Sequence, residues 1–248
     1  MSFSKAGPGP LNLALTRGWK EAVQAALACA RLILCALVAV FAAQSAAAQD
    51  LTLPGDVQQA IGRLNTAGYR TRNMCSAVLI APDRILTAAH CVPTTASARA
   101  AMRFVAGWDR GDYVAVREIA QVDVHPEFQG PTVENIPYDI AVLQLDAPIA
   151  DVSPLALAGF EGNDVVMSGY HTGRPHLATT LGPCPANAMR QQTLIMITCP
   201  TQRGFSGAPV LVRTTDGWAV VAVTSAANAT STFAVRVANW AVGAVLDE

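Results

Sequence analysis

Short apolar segments that end at turn-forming residues recur along most of this chain, and they limit the folds open to it. Runs of this kind, rich in Val, Ile, Leu and Ala and bounded by Gly, Pro, Asn and Asp, are typical of β-strands. Because turns rather than helices separate them, the pattern predicts an all-β sandwich or barrel instead of alternating strands and helices. The predicted strands cover residues 60–65, 76–80, 84–89, 101–106, 113–122, 140–145, 165–170, 192–199, 208–212, 218–224 and 232–237.

The first 48 residues have the composition of a secretory signal peptide. Basic residues precede a twelve-residue apolar run, residues 32–43, and three alanines, residues 46–48, offer a small-residue cleavage site. The run is shorter than the ~20 residues that a membrane-spanning helix needs, so we expect residues 1–48 to be removed and 49–248 to form the mature domain. The alternative is an uncleaved anchor. Residues 49–59 are polar with a Pro-Gly break, which predicts a lead-in outside the core.

Charge and cysteine content exclude several function classes. Without residues 1–48 the chain has 13 Arg, no Lys and 17 Asp plus Glu, a formal charge of −4. The arginines are scattered singly, so no basic patch indicates a nucleic-acid partner. Four of the six cysteines remain, an even number that indicates two disulfides in an exported chain, with three possible pairings. The chain lacks the Cys-x-x-Cys or Cys/His spacing that is typical of a zinc site. We therefore expect neither a metal nor a cofactor.

A glycine-flanked serine lies in the segment Gly204-Phe205-Ser206-Gly207, a pattern typical of a tight turn that exposes a nucleophile. On its own the pattern also fits an ordinary turn. A serine hydroxyl is a weak nucleophile unless a base, itself oriented by a third group, lies within hydrogen-bond reach. His90 lies in a strand-like apolar run and Asp139 opens another, so the chain order His, Asp, Ser matches one known triad order. Taken singly, His90 also fits a core histidine and Asp139 a turn carboxylate.

Together these segments resemble the chymotrypsin/trypsin-like serine peptidases, and most of all the secreted bacterial members near the glutamyl endopeptidases. The resemblance spans roughly residues 61–246 and covers nearly all of the mature chain. It rests on residues 75–91 (CSAVLIAPDRILTAAHC), 139–145 (DIAVLQL) and 204–210 (GFSGAPV).

The resemblance resolves the fold that the strand pattern leaves open. It implies two packed antiparallel six-stranded β-barrels, the first over about residues 58–150 and the second over about 151–248, with the site between them. Residues 148–157 would form the crossover between the barrels. A C-terminal helix would close the fold over residues 238–246, which have helical spacing.

The same resemblance assigns roles to the motif residues. Ser206 would attack the scissile carbonyl and form an acyl-enzyme, His90 would act as the general base, and Asp139 would orient the imidazole. The backbone N–H groups of Gly204 and Ser206 would form the oxyanion hole.

The loop before the nucleophile departs from the trypsin pattern. Phe205 stands where digestive proteases have an aspartate that receives a newly cut N-terminus. We therefore expect this loop to be ordered without such a cut, braced by buried Phe205 and by a Cys184–Cys199 disulfide. The resemblance pairs the other two cysteines as Cys75–Cys91.

The resemblance, applied by offset from Ser206, also implies a substrate pocket. Thr201 would line one wall of the primary pocket. The other wall would be formed by Thr224, Ser225 and Ala226. The position six residues before Ser206 is not acidic, so a trypsin-like preference for Arg or Lys is not expected. We expect a small or apolar residue before the scissile bond.

These interpretations predict a secreted or periplasmic serine endopeptidase that acts on protein or peptide substrates. We expect a monomer with no nucleic-acid partner and no membrane contact after signal removal. Two alternatives use the same fold: a binding protein whose triad is weak or inactive, and an esterase that uses the same triad.

Overall fold

The computed structural model describes residues 51–162, 164–189, 193–237, 240 and 243, and these residues carry fourteen strands and two short helices. The strands are β1 (Ile61–Thr66), β2 (Cys75–Ala81), β3 (Arg84–Thr87), β4 (Met102–Ala106), β5 (Ala115–Val124), β6 (Ala141–Leu145), β7 (Ala156–Leu157), β8 (Val165–His171), β9 (Arg174–Cys184), β10 (Ala186–Met189), β11 (Leu194–Ile197), β12 (Pro209–Thr214), β13 (Gly217–Ala227) and β14 (Thr232–Arg236). The helices are α1 (Gly55–Ala60) and α2 (Ala96–Ala100), and single 3-10 turns cover Ala89–Cys91 and Ile136–Tyr138.

Every strand predicted from the sequence has a counterpart, so the mostly β architecture is confirmed. The sequence did not predict β7, β9 or β10. Most side chains of β9 are half-buried, and its sequence contains two prolines and no regular apolar alternation, so no sequence pattern marked it as a strand. Its pairing with β8, rather than its own composition, makes it a strand.

The first six strands close into an antiparallel barrel in the order β1-β2-β3-β6-β5-β4. Alternate side chains of each strand point inward, and residues such as Leu64, Phe104 and Leu143 are fully buried. Closure pairs both edges of every strand, which removes the exposed edges of an open sheet. This ring is the first of the two predicted barrels.

The remaining strands form an eight-stranded sheet with the path β10-β11-β14-β13-β12-β8-β9, to which β7 is added beside β13. Strands β9 and β10 lie at opposite ends of this path, yet only Pro185 separates them in the chain. The sheet must therefore curl until its two ends meet. Counting β9 and β10 as one bent strand gives a ring of six, which is the second predicted barrel.

The predicted crossover, residues 148–157, connects the two halves through backbone hydrogen bonds. Leu155 N–H donates to the carbonyl of Leu79 in β2, at 2.9 Å. Directly afterwards β7 pairs with β13 in a parallel arrangement. The linker is thus attached first to one barrel and then to the other.

The segment before β1 is part of the core, so the predicted lead-in is wrong for its second half. Residues Gly55–Ala60 form α1, and Leu53, Val57 and Ala60 are buried against the first barrel. The Pro-Gly break that suggested a loop instead stands at the start of this helix.

Two further predictions fall mostly outside the described residues. These are the signal peptide over residues 1–48 and the C-terminal helix over 238–246, of which only Trp240 and Gly243 are described. In the described ranges, no helix is long and apolar enough to cross a bilayer.

Candidate active site

His90 and Asp139 form a close pair at one end of the first barrel. His90 Nδ1 lies 2.6 Å from Asp139 Oδ2, and the His90 backbone N–H donates to Asp139 Oδ1 at 2.8 Å. The predicted strands 84–89 and 140–145 end before His90 and begin after Asp139, and both residues indeed lie outside β3 and β6. His90 is on the 3-10 turn that follows β3, and Asp139 ends the turn that precedes β6. Because β3 and β6 are paired antiparallel neighbours, the end of one meets the start of the other.

The bond to Asp139 determines which ring nitrogen of His90 carries the proton. An ionised carboxylate can only accept hydrogen bonds, so Nδ1 is the donor and Nε2 is left with a lone pair. Asp139 is 4% exposed, whereas the His90 side chain is 25% exposed. The basic nitrogen therefore belongs to the part of the pair that solvent and a substrate can reach.

Asp139 receives a third hydrogen bond, from Ser225 Oγ to Oδ2. The register of β13 against β14 shifts between Thr224 and Ala226, so Ser225 is the extra residue of a β-bulge. Bulges redirect a side chain out of the regular alternation of a strand. Here the bulge lets a residue of the second barrel reach a carboxylate of the first.

Two glycines shape the loop that carries Ser206. Gly204 and Gly207 have φ angles of 103° and 79°, a region that side chains with a Cβ rarely adopt. A Cβ on Gly207 would lie 2.1 Å from Thr87 Oγ1 and 2.3 Å from the Ser76 carbonyl oxygen. The Gly-x-Ser-Gly pattern is therefore required by both backbone conformation and close packing against the first barrel.

The backbone N–H groups of this loop divide into two sets. Those of Phe205, Gly207 and Ala208 donate to carbonyl oxygens within the protein at 3.1, 2.7 and 2.8 Å. Those of Gly204 and Ser206 have no protein acceptor within the described ranges. These two donors are available to an external oxygen beside the Ser206 hydroxyl, as an oxyanion hole requires.

Ser76 attaches the Ser206 loop to the first barrel, a role that no sequence pattern predicted. Its N–H donates to the Ser206 carbonyl at 2.8 Å, and its hydroxyl donates to the Gly204 carbonyl at 3.0 Å. The same hydroxyl accepts from Tyr170 N–H at 2.8 Å. Ser76 is fully buried, so each of these bonds forms away from competing water.

Phe205 is buried at 2% exposure, and its ring stacks on His171 with centroids 6.0 Å apart. Its carbonyl accepts from Ala208 N–H and from Thr224 Oγ1. Phe205 replaces the aspartate that forms an ion pair in digestive proteases, and here apolar packing and hydrogen bonds stabilise the loop instead.

Both predicted disulfides are present, Cys75–Cys91 and Cys184–Cys199. The first ties the turn that carries His90 to β2, next to Ser76. The second joins the end of β9 to the residue two before Thr201. Each disulfide therefore fixes a segment that leads into the site.

The four predicted pocket residues lie near one another but have different partners. The Thr224 hydroxyl is buried and donates to the Phe205 carbonyl, and the Ser225 hydroxyl donates to Asp139. Thr201 is half-buried and accepts from Thr232 Oγ1 at 3.1 Å. Ala226 lines a cavity together with His90.

Two cavities flank His90. A cavity of about 270 Å³ is lined by His90, Asp139, Ser225, Ala226 and the loop of residues 128–136. A larger groove of about 790 Å³ contacts His90, Ser206, Gly204 and the Cys75–Cys91 disulfide. His90 thus lies where two parts of one elongated ligand could meet.

One group of potential metal ligands lies beside this site. Among the described residues, Cys75, His90 and Cys91 form one group whose ligand atoms lie within 4.8 Å of one another. Both sulfurs are joined in a disulfide, so neither is a thiolate that could bind a metal.

Two antiparallel β-barrels with a His–Asp pair on one and a glycine-flanked serine on the other define the chymotrypsin-like class. The trypsin-like peptidase domain family matches residues 75–223, more than half of the chain, and the chain belongs to that family. The resemblance drawn from the three sequence motifs is thereby confirmed.

Individual relatives match shorter stretches. Serine protease filzig of Drosophila melanogaster is 28% identical over 113 residues, which are 42% of this chain and 6% of that protein. Trypsin of Saccharopolyspora erythraea is 34% identical over 89 residues, which are 35% of this chain and 37% of that protein. The chain thus spans well under two thirds of the length of these relatives.

A solved structure, that of a Glu endopeptidase in complex with MPD, superposes with a TM-score of 0.61. The sequences are 22% identical, and the match covers 78% of this chain and 93% of that chain. This likeness concerns the fold alone.

Proposed function

We propose that this protein is a secreted serine endopeptidase that cleaves peptide bonds through Ser206, His90 and Asp139. The observation that carries the proposal is the His90–Asp139 bond of 2.6 Å beside a serine loop with two unpaired N–H groups. A base with a fixed tautomer and a site for a developing oxyanion are the two requirements of acyl transfer by serine.

In this mechanism Ser206 Oγ attacks the carbonyl carbon of the scissile bond while His90 Nε2 takes the hydroxyl proton. The carbonyl oxygen becomes negative and accepts hydrogen bonds from Gly204 N–H and Ser206 N–H. The C–N bond then breaks, and the imidazolium gives its proton to the leaving amine. Water hydrolyses the resulting acyl-enzyme by the same steps and restores the Ser206 hydroxyl.

Asp139 acts through His90 and not on the substrate. Its carboxylate holds Nδ1 as the donor, and it stabilises the imidazolium that forms in both halves of the reaction. The hydrogen bond from Ser225 and the one from His90 N–H fix the carboxylate in the plane it needs for this. Loss of one oxyanion donor typically lowers the rate about 100- to 1,000-fold, so the Gly204 and Ser206 N–H groups should contribute substantially to catalysis.

The residue before the scissile bond would bind between Thr201 and the Ser225–Ala226 segment. The hydroxyl groups of Thr224 and Ser225 are engaged in internal hydrogen bonds, which leaves this wall with few free polar groups. This agrees with a preference for a small or apolar side chain. Secretion is supported by the two disulfides, which persist in oxidising compartments.

A second candidate function is peptide binding without efficient turnover. It is favoured by one observation: among the described residues, the Ser206 hydroxyl makes no hydrogen bond to His90. Such contacts often tighten only when substrate binds. A fluorophosphonate label separates the two functions, because only an activated serine reacts with it. An esterase would also be labelled, and comparison of ester and peptide turnover separates it from a peptidase.

The variant Ser206→Ala tests the proposal directly. We expect loss of covalent labelling and a fall in peptide hydrolysis of about 10⁶-fold, with the thermal unfolding midpoint unchanged. Ser97→Ala, at an exposed position on α2, is the matched control and should keep full activity. A Ser206→Ala protein with a tenth of the original rate would mean that another group is the nucleophile.

A further inference from the structure

The larger of the two cavities beside His90, the groove of about 790 Å³, is lined by positively charged side chains. Its rim carries Arg72 and Arg203, both exposed, while no Asp or Glu is among its lining residues. Neither guanidinium has an ion pair or a hydrogen bond to a protein acceptor in the described part of the chain. The groove is therefore positively charged, although the predicted mature chain has a formal charge of −4.

An unsatisfied polar group lies in the wall of the same groove. Asn65 is 3% exposed, and both its Nδ2 and Oδ1 atoms are buried without a hydrogen-bond partner among the described residues. Buried polar groups are nearly always paired, and exceptions call for an explanation. The Asn65 amide therefore adds an unsatisfied polar group directly beneath the wall of the groove.

The position of the groove relative to the proposed chemistry defines what would occupy it. The acyl part of the substrate lies toward Ser225 and Ala226, and its carbonyl oxygen faces the N–H groups of the Ser206 loop. The groove contains Ser206 and lies against the Cys75–Cys91 disulfide, and His90 borders both this groove and the smaller cavity beside Ser225. Because His90 protonates the leaving amine, the chain that follows the scissile bond must run into the groove.

We propose that the groove carrying Arg72 and Arg203 binds the leaving-group side of the substrate and selects peptides with a carboxylate there. This inference rests on the proposed peptidase function and adds the substrate class. The carboxylate is an Asp or Glu side chain within the first residues after the scissile bond, since both arginines line the same groove as Ser206 and Gly204. Guanidinium groups bind carboxylates through paired N–H donors, which gives direction as well as charge.

Binding in the groove can be measured separately from recognition of the acyl part by letting water and added amines compete for one acyl-enzyme. An ester substrate forms the acyl-enzyme, and dipeptide amides compete with water for it. The amine nitrogen attacks the acyl carbon, the bond to Ser206 Oγ breaks, and His90 passes the amine proton to that oxygen, so a new amide and free enzyme result. The ratio of aminolysis to hydrolysis does not depend on how the acyl part is recognised.

We expect Asp-Ala amide or Ala-Asp amide to give an aminolysis ratio about 5-fold higher than the matching Asn dipeptides, because one partly screened ion pair contributes about 1 kcal/mol. High salt should shrink the difference. Arg203→Gln and Arg72→Gln should each reduce it, and the double variant should abolish it. The matched control Arg213→Gln removes an exposed arginine that does not line the groove and should preserve the preference. Equal ratios for Asp and Asn dipeptides would overturn the proposal.

A binding measurement separates failure of this inference from failure of the proposed function. Titration of Ser206→Ala with Asp- and Asn-containing dipeptide amides, followed by NMR, needs no turnover. If the wild-type protein forms no acyl-enzyme but Asp dipeptides still bind in an Arg203-dependent way, the groove assignment stands and the peptidase function fails. If binding does not discriminate between Asp and Asn, the groove assignment is wrong.

Discussion

The two barrels contribute different parts of the site, and each depends on a serine of the other. The first barrel carries His90 and Asp139, and Ser225 of the second barrel hydrogen-bonds to the Asp139 carboxylate. The second barrel carries Ser206, and Ser76 of the first barrel binds the backbone of its loop. The site is therefore completed from both sides and does not belong to either barrel alone.

The two serines differ in what they hold. Ser225 is half-buried and its hydroxyl bonds a charged side chain, so it affects the orientation of one group. Ser76 is fully buried and bonds three backbone groups through its own N–H and hydroxyl, so it affects the path of two chain segments. Because of this difference, the orientation of the Asp139 carboxylate and the backbone conformation of the Ser206 loop can be tested with separate substitutions.

Among the residues through which the two barrels support each other, Asp139→Asn should have the largest effect, because it removes the carboxylate charge that His90 and Ser225 both contact. The amide can present N–H to His90 and so favour the wrong ring tautomer, and we expect peptide hydrolysis to fall about 10⁴-fold. Steady-state kinetics and fluorophosphonate labelling rates measure this. Asp151→Asn, at an exposed turn, is the matched control. A loss of less than tenfold would contradict the role given to Asp139.

Next in size is Ser225→Ala, which removes the contribution of the second barrel to Asp139. A hydrogen bond to a charged group contributes about 1.5–3 kcal/mol, so we expect kcat to fall about 10- to 100-fold. The KM and the thermal unfolding midpoint should change little, because the deleted hydroxyl orients a group and is not a packing element. Ser225→Thr retains the hydroxyl and should recover much of the rate. An unfolding midpoint that falls in step with kcat would point to a structural role instead.

Ser76→Ala tests the reverse dependence, that of the Ser206 loop on the first barrel. The substitution leaves the buried Tyr170 N–H without an acceptor, and we expect the free energy of unfolding to fall by about 1–3 kcal/mol. Activity should fall as well, because the Gly204 carbonyl loses its donor. Ser168→Ala is the control: Ser168 is equally buried but bonds only Thr180, so stability should fall while the rate per folded molecule is kept. Equal rates for the two variants would show that Ser76 does not shape the loop.

The smallest effect concerns His171, which packs on Phe205 behind the same loop. Burial lowers the pKa of His171, and the neighbouring charge of Arg174 lowers this pKa further, while a hydrogen bond with Gln202 opposes the change. The unfolded chain then binds more protons than the folded one, so the stabilising contribution is present above about pH 6.5 and is lost as the pH falls below it.

His171→Gln should therefore reduce the loss of unfolding free energy between pH 7.5 and 5.5, measured by denaturant titration at each pH. Burial also lowers the pKa of His125, so His125→Gln should act in the same direction and the two effects should add. If the unfolding free energy of His171→Gln depends on pH as in the unsubstituted protein, burial of the His171 ring is not a cause of that dependence.

The candidate site was predictable to the extent that its residues lie in local patterns. Ser206 stands between glycines whose positive φ angles only glycine adopts readily, and His90 and Asp139 adjoin apolar runs that became β3 and β6. The bounds of these elements were less predictable. The apolar run before His90 predicted a strand up to residue 89, whereas β3 ends at Thr87. His90 and Asp139 lie on short turns that allow their side chains to meet, and no sequence pattern predicted these turns.

The sequence alone determined the mostly β architecture, the strand-by-strand division of most of the chain and the position of the glycine-flanked serine, because alternation, turn residues and glycine conformations are local properties. Only the tertiary structure decided that Ser76 and Ser225 complete the site, that β9 is a strand, that α1 belongs to the core and that Arg72 and Arg203 share one groove. These features depend on residues that are far apart in the chain and meet only when both barrels have closed. No local pattern carries that information, since a buried hydroxyl acquires its role from the partner that packing brings to it.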